Sequence, residues 1–291
     1  MILFFFRALS LLPLRALHAI GASLGWVLYA CSPAYRRRIA ENLPSGLPGR
    51  SRALRHAIGE SGKQVMELAW VWTCTPARIL ARTRTENPDV LEAALRQDRA
   101  IVMLTPHLGC FEAIARSYMA SEQGRKRPML ALYREPRKAF LRPLFSQARA
   151  SGGLLLAPAD LHGVRLMIKS LRARGVVGLL PDQVPSRGEG VWAPFFGRLA
   201  YTMTLPARLA RAHDAVVLLV YAQRLARGAG YRIFWQQLEE ELDGDAVADA
   251  ARINRAMERL ILRCPEQYLW SYNRYKAPHG VEKPARQDAT P

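Results

Sequence analysis

The stretch 100-AIVMLTPHLGCFEAIARSYMASEQ-123 contains a strand, a tight turn and a helix in immediate succession. AIVMLT (100–105) is a short apolar run of strand length, and FEAIARSYMASEQ (111–123) has the spacing of a helix. Between them, Thr105 precedes Pro106 and is biased toward extended backbone. Gly109 then permits a sharp turn with close approach of another chain segment.

The same alternation extends through the chain. PMLALY (128–133), GLLLA (153–157), VVGLL (176–180) and AVVLLVYA (215–222) are further apolar runs of strand length. YRIFW (231–235) alternates more, as expected of an edge strand. Helical stretches lie between them: AFLRPLFSQARASG, LHGVRLMIKSLRARG and TLPARLARAHD, with a final helix over 245–263. Strands alternating with helices of this length imply an α/β domain with a mixed, largely parallel sheet flanked by helices. Upstream, the spacing predicts an amphipathic helix over 51–72 carrying Leu54, Ala57, Ile58, Val65, Met66, Leu68, Ala69 and Trp72 on its apolar side. The expected organisation is an N-terminal membrane-associated helix and basic segment (1–45), one catalytic-size domain (46–280) and a loose polar tail (281–291).

In an open α/β sheet, ligands collect at the carboxyl ends of strands, where His107 stands. On one continuous helix, side chains five apart point roughly 140° away from each other. His107 and Glu112 meet only if the histidine ends a strand and the glutamate opens the next helix, which this segment allows. Glu112 would then accept a hydrogen bond from one ring nitrogen and leave the other to take a proton from a hydroxyl. Such a base, with no protein nucleophile, suits direct transfer of an acyl group from a thioester to an alcohol. The spacing by itself fits equally a buried structural histidine beside a glutamate favoured by the helix dipole.

The N-terminus is strongly apolar but broken by Arg7 and Arg15, and from Ala16 to Tyr35 only His18 is ionisable. Twenty helical residues reach about 30 Å, one hydrocarbon core. The segment is expected to cross or embed in a membrane, to lie in its interface, or to serve as a core helix. Arg36, Arg37 and Arg38 follow at once, which favours a cytoplasmic face with anionic head groups.

The 291 residues carry 42 Lys and Arg against 24 Asp and Glu, a net charge of +18 spread along the chain. Such a surface attracts an acidic partner, whether nucleic acid, anionic membrane or acidic protein. The four cysteines lie far apart, with neither CxxC nor zinc-finger spacing. The motifs of nucleotide hydrolases, dinucleotide oxidoreductases, zinc peptidases and serine hydrolases are missing, and no metal or cofactor is called for. Arg134 in YREPRK and Arg149 in SQARASGG are candidates for gripping a phosphate or sugar acid, since a guanidinium fork matches such oxyanions. Asp182 and Gln183 follow a strand and precede a Gly-rich turn, a place where turn chemistry alone also accounts for them.

Several segments together resemble the lysophospholipid-type acyltransferases, in particular the branch that adds secondary acyl chains to lipid A. They are the apolar N-terminus followed by YRRRIAENL (35–43), PHLGCFE (106–112), LLPDQVPSRGEGVWAPFFGRLAYTMTLPARLA (179–210) and PEQYLWSYNRYK (265–276). The resemblance covers nearly the whole chain and departs from the branch at Cys110-Phe111, where Asn-Trp is expected. It implies a glycerolipid-acyltransferase-like fold and His107 with Glu112 as the catalytic pair. It also implies an acceptor site bordered by Asp182 and Gln183, with VWAPFFG (191–197) either lining an acyl channel or simply filling the core. The implied donor is a thioester on acyl carrier protein, and the implied acceptor is a lipid A precursor hydroxyl at the cytoplasmic side of the bacterial inner membrane, without nucleic acid. The rival readings are the same chemistry on a lysophospholipid or aminolipid, and a basic membrane-surface or nucleic-acid-binding protein with a structural histidine.

Overall fold

The segment 100–123 supplies the central strand of the sheet. The computed structural model describes residues 6, 8–133 and 153–284. Its strands are β1 (Thr83–Thr85), β2 (Ile101–Leu104), β3 (Met129–Tyr133), β4 (Leu155–Pro158), β5 (Val176–Leu179), β6 (Gly190–Phe195), β7 (Arg198–Met203), β8 (Val216–Arg224) and β9 (Tyr231–Gln237). Seven form one sheet in the order β1-β9-β8-β2-β5-β3-β4, parallel except where β8 meets β9.

Period-two geometry divides the apolar strand residues between two layers. Val102, Leu104, Val217 and Leu219 meet helices Leu161–Arg172, Leu205–Ala212 and Ala246–Ile261 through Met167, Leu171, Leu209 and Met257. Ile101, Met103, Leu218 and Val220 face the other way, onto Trp70, Trp72, Leu91 and Ile114. Both faces of β2 are therefore covered, which is why its four residues show no polar alternation. The expected α/β class and largely parallel sheet are what the structure contains.

Three expectations change. YRIFW was expected at an edge, but β9 is second in the sheet and the short β1 pairs alongside it. Its alternation reflects one buried face, Tyr231, Ile233 and Trp235, and face exposure is independent of edge position. The helix expected over 51–72 is two helices, Arg50–Met66 and Leu68–Thr73, hinged at the buried Glu67. Val65, expected on the apolar side, is exposed because the buried side is narrow and made of Ala53, Ala57, Ile58 and Gly59. The helix expected in AFLRPLFSQARASG lies outside the described residues.

The N-terminal helix Leu14–Cys31 stops at Ser32, whose hydroxyl accepts a hydrogen bond from Tyr35 N at 3.3 Å, and Pro33 opens the next helix. It lies against Arg50–Met66 through glycines on both sides. A Cβ on Gly62 would stand 1.9 Å from the Gly21 carbonyl oxygen, and one on Gly25 would stand 2.2 Å from that of Ile58. Backbone cannot step aside as a flexible side chain can. Gly62→Ala is therefore expected to force the helices apart and lower stability by about 1–3 kcal/mol, read from thermal melts of the purified protein.

Candidate functional site

His107 lies three residues beyond the end of β2, in a loop whose backbone is held on both sides. Leu269 N donates to the His107 carbonyl at 3.1 Å, Gly109 N to the Gln267 carbonyl at 3.0 Å, and Cys110 N to the Ala222 carbonyl at 2.9 Å. Gly109 has φ +57°, and a Cβ there would stand 1.9 Å from the Ala222 oxygen. This is the tight turn and close approach expected of that glycine, and no other residue fits.

Residue pairing between β2 and β5 aligns Leu104 with Leu179, so the segments following both strands emerge side by side. Asp182 thereby reaches His107 with both carboxylate oxygens. Oδ1 lies 2.7 Å from ring Nδ1, and Oδ2 accepts the His107 backbone N–H at 2.8 Å. An ionised carboxylate can only accept, so Nδ1 carries the proton and Nε2 is left with its lone pair. Gln183 Nε2 lies 3.0 Å from that nitrogen and donates to it. Burial alone would raise the Asp182 carboxyl. The charge and hydrogen bonds of His107, with the charge of Arg274, outweigh that and lower its pKa.

The expected pairing of the ring with Glu112 is corrected by this geometry: the carboxylate on Nδ1 belongs to Asp182, 75 positions away in sequence. The physical reason is the register of β2 against β5, which carries Asp182 onto Nδ1, while from the first turn of helix Phe111–Ala120 it is Phe111 that meets the ring. Glu112 is buried in that first turn, where the helix dipole favours a carboxylate. It lines a cavity of about 70 Å³ with Thr105 and Phe111, and the remaining walls are mainly apolar, among them Met103, Ala131, Leu156 and Val220. Phe111 also meets the His107 ring edge-on, with centroids 4.8 Å apart. The site therefore combines an oriented imidazole with an oily recess beside it.

Gln183, expected at the acceptor site, is found on the imidazole itself. Arg134 and Arg149 lie outside the described residues. VWAPFFG belongs to the β6–β7 hairpin, turned by Phe196 and Gly197 at φ 47° and 71°. Phe195 is buried against Tyr268 and Tyr275, whereas Phe196 and Gly197 line a second pocket with Leu43 and Arg50, and no residue of the hairpin lines the cavity beside Glu112. Reading the sequence alone missed Arg274. Its buried guanidinium donates to Tyr201 O and Thr202 Oγ1, both at 2.7 Å, and its charge reaches Asp182. The only local signal was an arginine inside an aromatic segment. Burial and the Asp182 charge push the nearby Tyr268 hydroxyl well above its usual range. Among the described residues there is no cluster of three potential metal ligands.

A nitrogen left with its lone pair by a buried carboxylate is chemically able to take a proton from a hydroxyl, and here it stands next to an apolar recess. Comparison with known proteins points the same way. A family model described as bacterial lipid A biosynthesis acyltransferase matches residues 1–277. The lipid A biosynthesis lauroyltransferase of Escherichia coli (strain K12) is 28% identical over 283 residues, covering 93% of this chain and 89% of that protein. The myristoyltransferase of the same organism is 29% identical over 297 residues, covering 97% and 88%. Its palmitoleoyltransferase is 29% identical over 242 residues, covering 82% and 72%. With a family match across nearly its whole length, the chain belongs to the bacterial lipid A biosynthesis acyltransferases.

Proposed function

We propose that this acyltransferase moves a fatty acyl group from a thioester on acyl carrier protein to a hydroxyl of a phosphorylated lipid A precursor, with His107 as general base. The observation that carries this reading is the Asp182–Nδ1 hydrogen bond, which leaves Nε2 as the basic nitrogen beside the apolar recess. Nε2 takes the hydroxyl proton as the oxygen attacks the thioester carbonyl. The tetrahedral intermediate collapses by breaking the C–S bond, and the departing thiolate recovers the proton from the imidazolium. No cofactor is needed. The acceptor hydroxyl displaces the Gln183 amide from Nε2, and Glu112, at the recess, accepts hydrogen bonds from the incoming substrate. Arg134 and Arg149 are the proposed grip for acceptor phosphate or sugar acid, on the chemistry of the guanidinium fork alone. The recess holds the acyl chain, and each methylene it buries is worth about 0.8 kcal/mol.

The basic surface suits the acidic carrier and an anionic membrane. The N-terminal helix Leu14–Cys31 exposes Ile20, Leu24, Val27 and Leu28, while its glycine side is fastened to Arg50–Met66. A spanning orientation would draw Lys63, next to the Gly62 that packs on Gly21 at mid-helix, and its partner Glu60 toward hydrocarbon, at a cost of several kcal/mol. The helix therefore lies in the interface, apolar side toward lipid, at the cytoplasmic face of the inner membrane.

Mass spectrometry of lipid A from cells with and without the gene tests the reading. Loss of one acyl chain is the expected result, and purified protein should restore it from acyl carrier protein thioesters. Unchanged lipid A, with transfer to a lysophospholipid or aminolipid supplied in parallel, would overturn the choice of acceptor.

A further inference from the structure

Beneath the catalytic loop lies a buried charged cluster that the proposed chemistry does not use. Glu67, fully buried at the joint between helices Arg50–Met66 and Leu68–Thr73, receives the fork of Arg224 at the end of β8: Nε donates to Oε2 at 2.8 Å and Nη2 donates to Oε1. Two further groups close on Oε2, His18 Nε2 from the N-terminal helix at 3.1 Å and the Tyr231 hydroxyl from β9 at 3.2 Å. Arg224 Nη1 extends to Glu60 at 2.6 Å. Burial would raise the Glu67 carboxyl, but the charge and hydrogen bonds of Arg224 and His18 hold its pKa down at about 2.

The cluster meets the catalytic loop at the Cys110 thiol, which bonds Glu67, and at the Gly109 carbonyl. Arg224 Nη2 donates to the Gly109 carbonyl at 3.2 Å, and Gln64 Nε2 donates to the same oxygen at 3.3 Å. The other side of Gly109 leads back to the same arginine: Gly109 N donates to the Gln267 carbonyl, and the Gln267 side chain grips Arg224 N at 2.7 Å and Arg224 O at 2.9 Å. Gly109 sits two residues from His107 and has no side chain of its own to anchor. A buried ion pair stabilises little compared with well-packed apolar residues. What a planar, multiply bonded guanidinium provides is fixed direction.

We infer that Arg224, Glu67 and His18 form a positioning unit that sets the His107 loop through the Gly109 carbonyl and makes that setting depend on the N-terminal helix being seated on the domain. It rests on the reading of His107 as the base. An enzyme acting on membrane lipid thereby links correct placement of its base to the fold of the helix that meets the membrane. With that helix displaced, Glu67 loses one donor, the Arg224 fork is less constrained and the loop loosens.

The test uses full-length protein in detergent micelles, with a lauroyl thioester of acyl carrier protein and a lipid A precursor, and two substitutions. Arg224→Lys keeps the charge but cannot bond Glu67, Glu60 and Gly109 together, and His18→Gln keeps a hydrogen-bond donor but removes the ring. In both, kcat is expected to fall about tenfold or more while KM for each substrate stays within about twofold. Hydrogen exchange in residues 104–113 should quicken about tenfold, while β5 and helix Ala246–Ile261 exchange as before. Unchanged kcat and loop exchange in His18→Gln overturn the inference, and so does loosening spread evenly over all segments. If Arg224→Lys fails to fold, His18→Gln decides alone. His107→Ala run alongside separates the two claims: activity retained there removes the base, whereas activity lost there with a wild-type-like His18→Gln removes only the positioning unit.

Discussion

His107→Ala is expected to lower acyl transfer by about 10³-fold, within the range general acid–base catalysis supplies. The reason for so large an effect is that one ring performs both proton transfers, taking the proton from the acceptor hydroxyl and returning it to the departing thiolate. The protein should still fold. Asp182 loses the Nδ1 donor, but keeps the His107 backbone N–H at 2.8 Å and the charge of Arg274. One lost hydrogen bond to a buried carboxylate costs about 1–3 kcal/mol, a modest drop in melting temperature. Initial rates on the folded fraction, with donor and acceptor both saturating, check the result. Transfer at an unaltered rate would eliminate the imidazole as the base.

Asp182→Asn is the second large effect, and it follows from counting acceptors. The carboxylate serves two donors of His107 at once, Nδ1 at 2.7 Å through Oδ1 and the backbone N–H at 2.8 Å through Oδ2. An amide has only one acceptor oxygen, so one of these donors must face an NH₂ group. If the backbone N–H keeps the oxygen, the amide donates to Nδ1, the ring proton moves to Nε2, and the nitrogen facing substrate can no longer accept. If Nδ1 keeps it, the backbone N–H is orphaned and the loop shifts. Either way kcat should fall by about 10²–10⁴-fold. KM should change little, because the cavity walls are untouched. A loss confined to KM would mean that Asp182 binds substrate and does not orient the base.

Much of the architecture was legible in short runs of residues. Apolar stretches of five to eight residues announced β2, β3, β5 and β8, and alternation with helices announced the α/β class, because strand and helix periods are properties of a few consecutive residues. The glycine turn after His107 was legible for the same reason: steric freedom at Gly109 is local. Edge and centre were not, as the placement of β9 shows, since alternation reports which face is covered and says nothing about neighbours.

The sequence by itself determined that His107 would stand at the carboxyl end of a buried strand, with Glu112 opening the next helix. Only the tertiary structure decided which carboxylate meets the ring. Asp182 is 75 residues from His107, and Glu67 is 157 from Arg224. Those meetings follow from strand order and from the pairing of Leu104 with Leu179. Several strand orders bury the same apolar runs equally well, so hydrophobic pattern alone does not choose among them. The choice falls to side-chain fit, backbone close approach and buried charge pairing, which act only between segments already brought together.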